Sequence, residues 1–98
     1  MKRTSTIFAL SSGALPSGVA VVRVSGDGAG RAAEALCGAL PPPRRLTLRR
    51  FLSEDGSVID RGLVAYFPAP DSFTGEDCAE FHVHGGRAVV AALLDRLG

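Results

Sequence analysis

The stretch Cys78 to His84, reading CAEFHVH, carries the side chains best spaced for chemistry. In an extended strand alternate residues share a face. Cys78, Glu80, His82 and His84 then fall together, with Ala79, Phe81 and Val83 opposite. The second face is apolar and suits a core. The first is polar and runs into Gly85-Gly86, where a bare backbone lets a ligand approach closely. A carboxylate at Glu80 suits a planar, donor-rich heterocycle such as a pterin, because its two oxygens can accept two parallel N–H bonds. Two other readings stand beside this one. Glu80 pairs with Arg23 or faces water. Alternatively, His82 and His84 ligate a metal, with Glu80 or Cys78 as the third ligand, since H-x-H on a strand offers two imidazoles on one face.

Arg23 lies inside the apolar run VAVVRV. Alternation puts Val19, Val21 and Arg23 on one face and Ala20, Val22 and Val24 on the other. A guanidinium stays charged, and burying it unpaired is costly. Arg23 therefore needs an anion, either a carboxylate of the protein or one of a ligand.

Other motifs read as structure. GDGAG at Gly26 to Gly30 follows a strand and opens a helix, but its spacing is not that of a dinucleotide loop, and Asp27 would repel a pyrophosphate. Asp27 is expected as the helix cap. Gly85-Gly86 reads as a tight strand-to-helix turn. Arg44, Arg45, Arg49 and Arg50 form one basic strip, expected to be a solvated strand face. No GxxxxGK[ST] occurs, so these residues contain no P-loop for GTP.

Positioning these groups requires a small set of elements. Thr6–Leu10 and Val19–Val24 are expected strands, joined by the turn-rich SSGALPSG. A helix over Arg31–Leu36 should end near Gly38, and the three prolines from Pro41 bar its continuation. Leu46, Leu48 and Phe51 mark an amphipathic third strand. Asp55-Gly56 signals a hairpin into a fourth, Val58–Phe67. A loop from Ala69 to about Asp77 leads to the fifth strand, Cys78–Val83. A final helix spans Ala88–Leu97, with Val90, Leu93, Leu94 and Leu97 as its apolar stripe. The expected class is α+β, a mixed sheet of about five strands with two helices.

Composition sets the outer limits. The 98 residues suffice for one domain, and 46% hydrophobic content supports a core. With 11 basic against 10 acidic residues, the chain lacks the positive excess of a general nucleic-acid or anionic-membrane binder. No stretch approaches the ~20 apolar residues of a membrane helix. Cys37 and Cys78 have no metal-type spacing and read as free thiols in a reducing, cytoplasmic compartment.

Several blocks together resemble the MnmE (TrmE) family of tRNA-modification GTPases. They are TIFALSSG, GVAVVRVSG, LPPPR, and the long run DGSVIDRGLVAYFPAPDSFTGEDCAEFHVHGG, within which SFTGED followed by HGG is the specific part. The resemblance implies that residues 1–98 are a truncated amino-terminal folate-binding and dimerisation domain. Its fold would be similar to that of the folate domain of glycine-cleavage T proteins. The helical and G domains would be absent, and with them GTP, Mg and K. The resemblance further implies a cofactor of the 5-formyltetrahydrofolate type, held by residues at the positions of Arg23 and Glu80. No catalytic residue and no metal ligand is implied here. The implied partners are a second copy, an FAD-containing MnmG-type protein and tRNA, whose wobble uridine is modified at carbon 5. No membrane is implied. The family does not require histidine at the position of His82. A purely structural dimer module is the remaining alternative.

Overall fold

The computed structural model describes residues 7–10, 18–72 and 74–98. Of the turn expected at Ser11 to Gly18 all but Gly18 lies outside the described residues, as do Thr6 and Phe73 of SFTGED. The strands are β1 (Ile7–Leu10), β2 (Val19–Ser25), β3 (Thr47–Leu52), β4 (Val58–Phe67) and β5 (Cys78–His84). The helices are α1 (Ala29–Cys37) and α2 (Arg87–Leu97). The expected α+β class holds.

The five strands form one sheet in the order β1-β2-β5-β4-β3. Every pairing is antiparallel, where a mixed sheet was expected. The reason is the placement of β5. It enters between β2 and β4, so the α1 crossover from β2 reaches the far edge rather than a parallel neighbour.

Both helices pack on one face of the sheet. Ala20, Val22, Val24, Val64, Phe81 and Val83 from the strands meet Ala33 and Leu36 of α1 and Val90 and Leu93 of α2. Phe51 and Phe81 close the β3 side of this core, edge to face, with ring centroids 5.6 Å apart. The Phe51 ring lies over Gly62, where an added methyl would collide with that ring and with the carbonyl of His82. Glycine inside a strand weakens it, and here it is what admits the ring.

Local termini differ from expectation in one respect. The N-cap of α1 is Gly28, and no side chain caps it. Asp27 does not hold that position, because Gly26, at φ 127°, turns the chain so that its own carbonyl accepts the Ala29 N–H at 3.0 Å. The stop at Gly38 is as expected, with φ 85° and its N–H donated to the Glu34 carbonyl. The Asp55-Gly56 hairpin also forms. Asp55 accepts from the Ser53 hydroxyl and from the N–H and hydroxyl of Ser57, which hold its carboxyl at about 2.

Of the three apolar residues expected to mark β3, only Phe51 faces inward. Phe51 is buried, whereas Leu46 and Leu48 are 56% and 67% exposed. Strand alternation allows only one parity inside, and the largest side chain takes it. The face away from the helices therefore carries Val19, Leu48 and Leu63 in the open.

The end of β5 is clipped to the start of β4. Asp60 accepts the His84 backbone N–H at 2.9 Å and sits 2.9 Å from its ring Nδ1. Partial burial pushes the Asp60 carboxyl up, but the His84 hydrogen bonds, that from the Arg61 N–H and the His84 charge outweigh it and hold the carboxyl below its ordinary range.

Two predictions follow from these contacts. Phe51→Ala should cost about 3–5 kcal/mol in urea denaturation, and Leu48→Ala less than about 0.5 kcal/mol. Equal losses would contradict the face assignment. The ionised Asp60 stabilises the fold at any pH above the unfolded carboxyl value of about 3.9, and loses this effect as pH falls through its lower folded value. The stability gap between wild type and Asp60→Asn should thus shrink as pH falls below about 4. A gap that persists undiminished down to about pH 2 would exclude the clip as its source.

Candidate functional site

The site is assembled by register. Cross-strand pairing sets Arg23 of β2 opposite Glu80 of β5. Both side chains lie on the face away from the helices, because Val22, Val24, Ala79 and Phe81 occupy the other parity. Arg23 holds one carboxylate oxygen of Glu80 with two nitrogens, Nη2 at 2.5 Å and Nε at 3.1 Å. The Glu80 side chain is 12% exposed and that of Arg23 35%. The anion that Arg23 requires is therefore the Glu80 carboxylate.

His82 completes the cluster from the same strand. Its Nε2 lies 3.3 Å from the other carboxylate oxygen, Oε1. Among the described residues Oε2 takes both Arg23 bonds and Oε1 faces His82, so with about two acceptor sites per oxygen the remaining capacity is on Oε1. The carboxylate is fixed in orientation at the surface of an open face. A fixed acceptor of this kind suits an N–H donor of a planar heterocycle.

His84 does not join this cluster. It is turned to Asp60 at the end of the sheet, and its side chain is 75% exposed. Among the described residues no three His, Cys, Asp or Glu side chains are placed to hold a metal ion. Glu80, His82 and His84 share a strand face but do not converge. Cys78 is buried, and its Sγ lies within 3.5 Å of the Ser25 and Thr74 hydroxyls.

The SFTGED loop works beside the site rather than in it. The Thr74 hydroxyl lies 2.8 Å from that of Ser25, at the end of β2. Ser72 donates its hydroxyl to the Glu76 carbonyl. Asp77 accepts the Ala69 N–H at 2.8 Å, and its carbonyl accepts the Gly26 N–H at 2.9 Å. Burial and the Asp77 carboxylate, to which Tyr66 is hydrogen-bonded, raise the Tyr66 hydroxyl. Tyr66 in turn lies beneath Gly30, whose missing Cβ leaves room for the ring. Four of the motif's residues thus fasten the loop to β2, β4 and itself.

The expected basic strip divides. Arg49 lies on the helix side, where its charge opposes the rise that burial causes at the Cys37 thiol. Arg50 is on the open face, directly opposite Arg61 of β4. Arg61 went unnoticed in the sequence. The Asp55-Gly56 hairpin held the signal, since counting back from the turn pairs the two arginines, with one bulge at Phe51/Leu52. Cys37 and Cys78 are both free. No described helix is long and apolar enough to cross a membrane.

Comparison with known proteins agrees with this layout. The family model described as GTP-binding protein TrmE N-terminus matches residues 6–98. The tRNA modification GTPase MnmE of Rhizobium meliloti (strain 1021) is 61% identical over 97 residues, covering 99% of this chain and 22% of that protein. The protein of the same name from Sinorhizobium medicae (strain WSM419) is 58% identical over 97 residues, again 99% of this chain. That from Brucella canis is 61% identical over 93 residues, 95% of this chain and 21% of its own length. The chain thus spans about a fifth of the length of the curated relatives it matches. On the match to residues 6–98 and these identities, the chain belongs to the TrmE N-terminal family, the amino-terminal domain of the tRNA-modification GTPases called MnmE.

Proposed function

We propose that this domain binds a reduced folate of the formyl-tetrahydrofolate type at Glu80 and Arg23, and pairs with a second copy of itself. The observation that carries the reading is the Glu80 carboxylate. It is clamped by Arg23 and flanked by His82, yet retains acceptor capacity on Oε1, on the sheet face away from the helices. A pterin edge presents two adjacent N–H donors; Oε1 can take one directly, and the second requires Oε2 to give up one of its bonds from Arg23. Arg23 then acts as a positioning residue. It aims the carboxylate, at the cost of the two acceptor sites of Oε2.

The folate, when bound, supplies a one-carbon unit. The chain's own residues, in this reading, bind and orient it. In this reading the whole protein, with GTP hydrolysis in a separate G domain and an FAD-containing MnmG-type partner, modifies carbon 5 of the wobble uridine of tRNA in the cytoplasm. A metal centre is not favoured, because His84 is already engaged by Asp60.

The test is thermal. A reduced folate should raise the melting temperature of the protein, as any ligand of the native state does. Glu80→Ala should abolish the shift. Removing one partner of a part-buried pair also weakens the fold, so Glu80→Gln is the sharper variant. It keeps the shape but replaces one acceptor oxygen with a donor, and should cut folate affinity by at least about tenfold while the unliganded protein still melts cooperatively. A folate-induced shift that survives both substitutions would move the site elsewhere.

A further inference from the structure

We propose that the open sheet face continues from Glu80 into an anion subsite made by Arg50 and Arg61. That subsite takes the glutamate carboxylates of the folate whose head group lies at Glu80. The inference rests on the folate reading above and adds a second, separable half to it.

Arg50 and Arg61 are directly opposite each other in the β3–β4 ladder. Both are exposed. Among the described residues neither guanidinium has a carboxylate within ion-pair distance. The nearest acid in sequence, Asp60, is committed to His84. Like charges directly opposite on a sheet destabilise it. The fold gains nothing from this pair, whereas an anion seated between two planar forks would relieve the repulsion.

The ground between the two subsites is apolar. Leu48, Leu63, His82 and Val21 form one cross-strand row on the same face. Leu48 and Leu63 are 67% and 37% exposed, and Val19 beside them 58%. Together with Arg61, His82 and His84 they line an open depression of ≈ 430 Å³. A second depression adjoins it, sharing Leu48 and Arg61 and adding Arg49 and Arg50. The helix-side core does not use these leucines.

The dimensions match an elongated ligand. Glu80 is opposite Ala65. Arg61 lies on the same strand and parity as Ala65, about 13 Å away at roughly 3.3 Å per residue. A folate has a donor-rich ring at one end, an aminobenzoyl group in the middle and one or more glutamates at the other. In an extended form these map in order onto Glu80, the Leu48/Leu63 row and the arginine pair. Each further glutamate adds a carboxylate, so longer tails should bind more tightly.

Calorimetric titration at low salt decides the matter. The probes are one reduced folate as its triglutamate, as its monoglutamate, and as the matching pteroate with no glutamate. Wild type should bind the triglutamate at least about fivefold more tightly than the pteroate, the scale of one exposed ion pair. The gap should narrow as salt is raised. It should close in Arg50→Gln and in Arg61→Gln, whose unliganded melting temperatures should equal or exceed wild type because the repulsion is gone. Equal affinities in wild type, or a gap that survives both substitutions, would overturn the tail subsite while leaving the Glu80 site standing. No binding of any probe would overturn both. Tail-independent binding combined with a salt-dependent affinity for tRNA that requires Arg50 and Arg61 would reassign the pair to RNA phosphate.

Discussion

The insertion of β5 between β2 and β4 governs the molecule. It turns two local units, the β1–β2 pair and the β3–β4 hairpin, into one sheet. It also supplies the central row of the core through Ala79, Phe81 and Val83. The same strand carries Glu80 on its other parity, so building the core and aiming the carboxylate are one event. Central strands are usually apolar on both faces when both are covered. This one is polar on one side, which is consistent only with a face that the helices leave open.

The cost of that arrangement falls on Arg23 and Glu80. Each alone would be a poorly solvated charge in the middle of a sheet. Set opposite each other, they satisfy the larger part of their requirement internally. The pair is not fully buried, so it avoids the full desolvation penalty of an interior ion pair. It keeps enough contact with solvent for a polar ligand to reach it.

Much of this was legible from residue order alone. Strand parity placed Arg23 and Glu80 on faces opposite to their apolar neighbours. The Asp55-Gly56 turn and the glycine stop at Gly38 were local signals that the fold obeys. What was not legible depended on contacts between distant segments. The antiparallel sense of the sheet follows from where β5 enters, and nothing local states that. The inward parity of β3 was not assigned from the sequence, where Leu46 and Leu48 compete with Phe51. The choice is made by Phe81 and Gly62, which offer an aromatic partner and a place with no side chain. Asp27 looked like a cap by type, but the Gly26 carbonyl reached the helix first. His82 and His84 share parity, yet Asp60, from another strand, pulls His84 aside.

The SFTGED motif shows how a family-identifying sequence can act at one remove from a ligand. Thr74 and Asp77 fix where the loop leaves β4 and where it meets the end of β2. That fixes which residue of β5 faces Ser25, and the pairing Ser25↔Cys78 then sets the whole ladder. A slip of one residue would move every side chain of β5 to the other face. Glu80 would enter the helix-side core, Phe81 would face solvent, and Arg23 would lose its counter-ion. The loop needs no contact with a ligand to be indispensable to one. By holding the register it decides that the carboxylate, rather than its apolar neighbour, is presented on the open face.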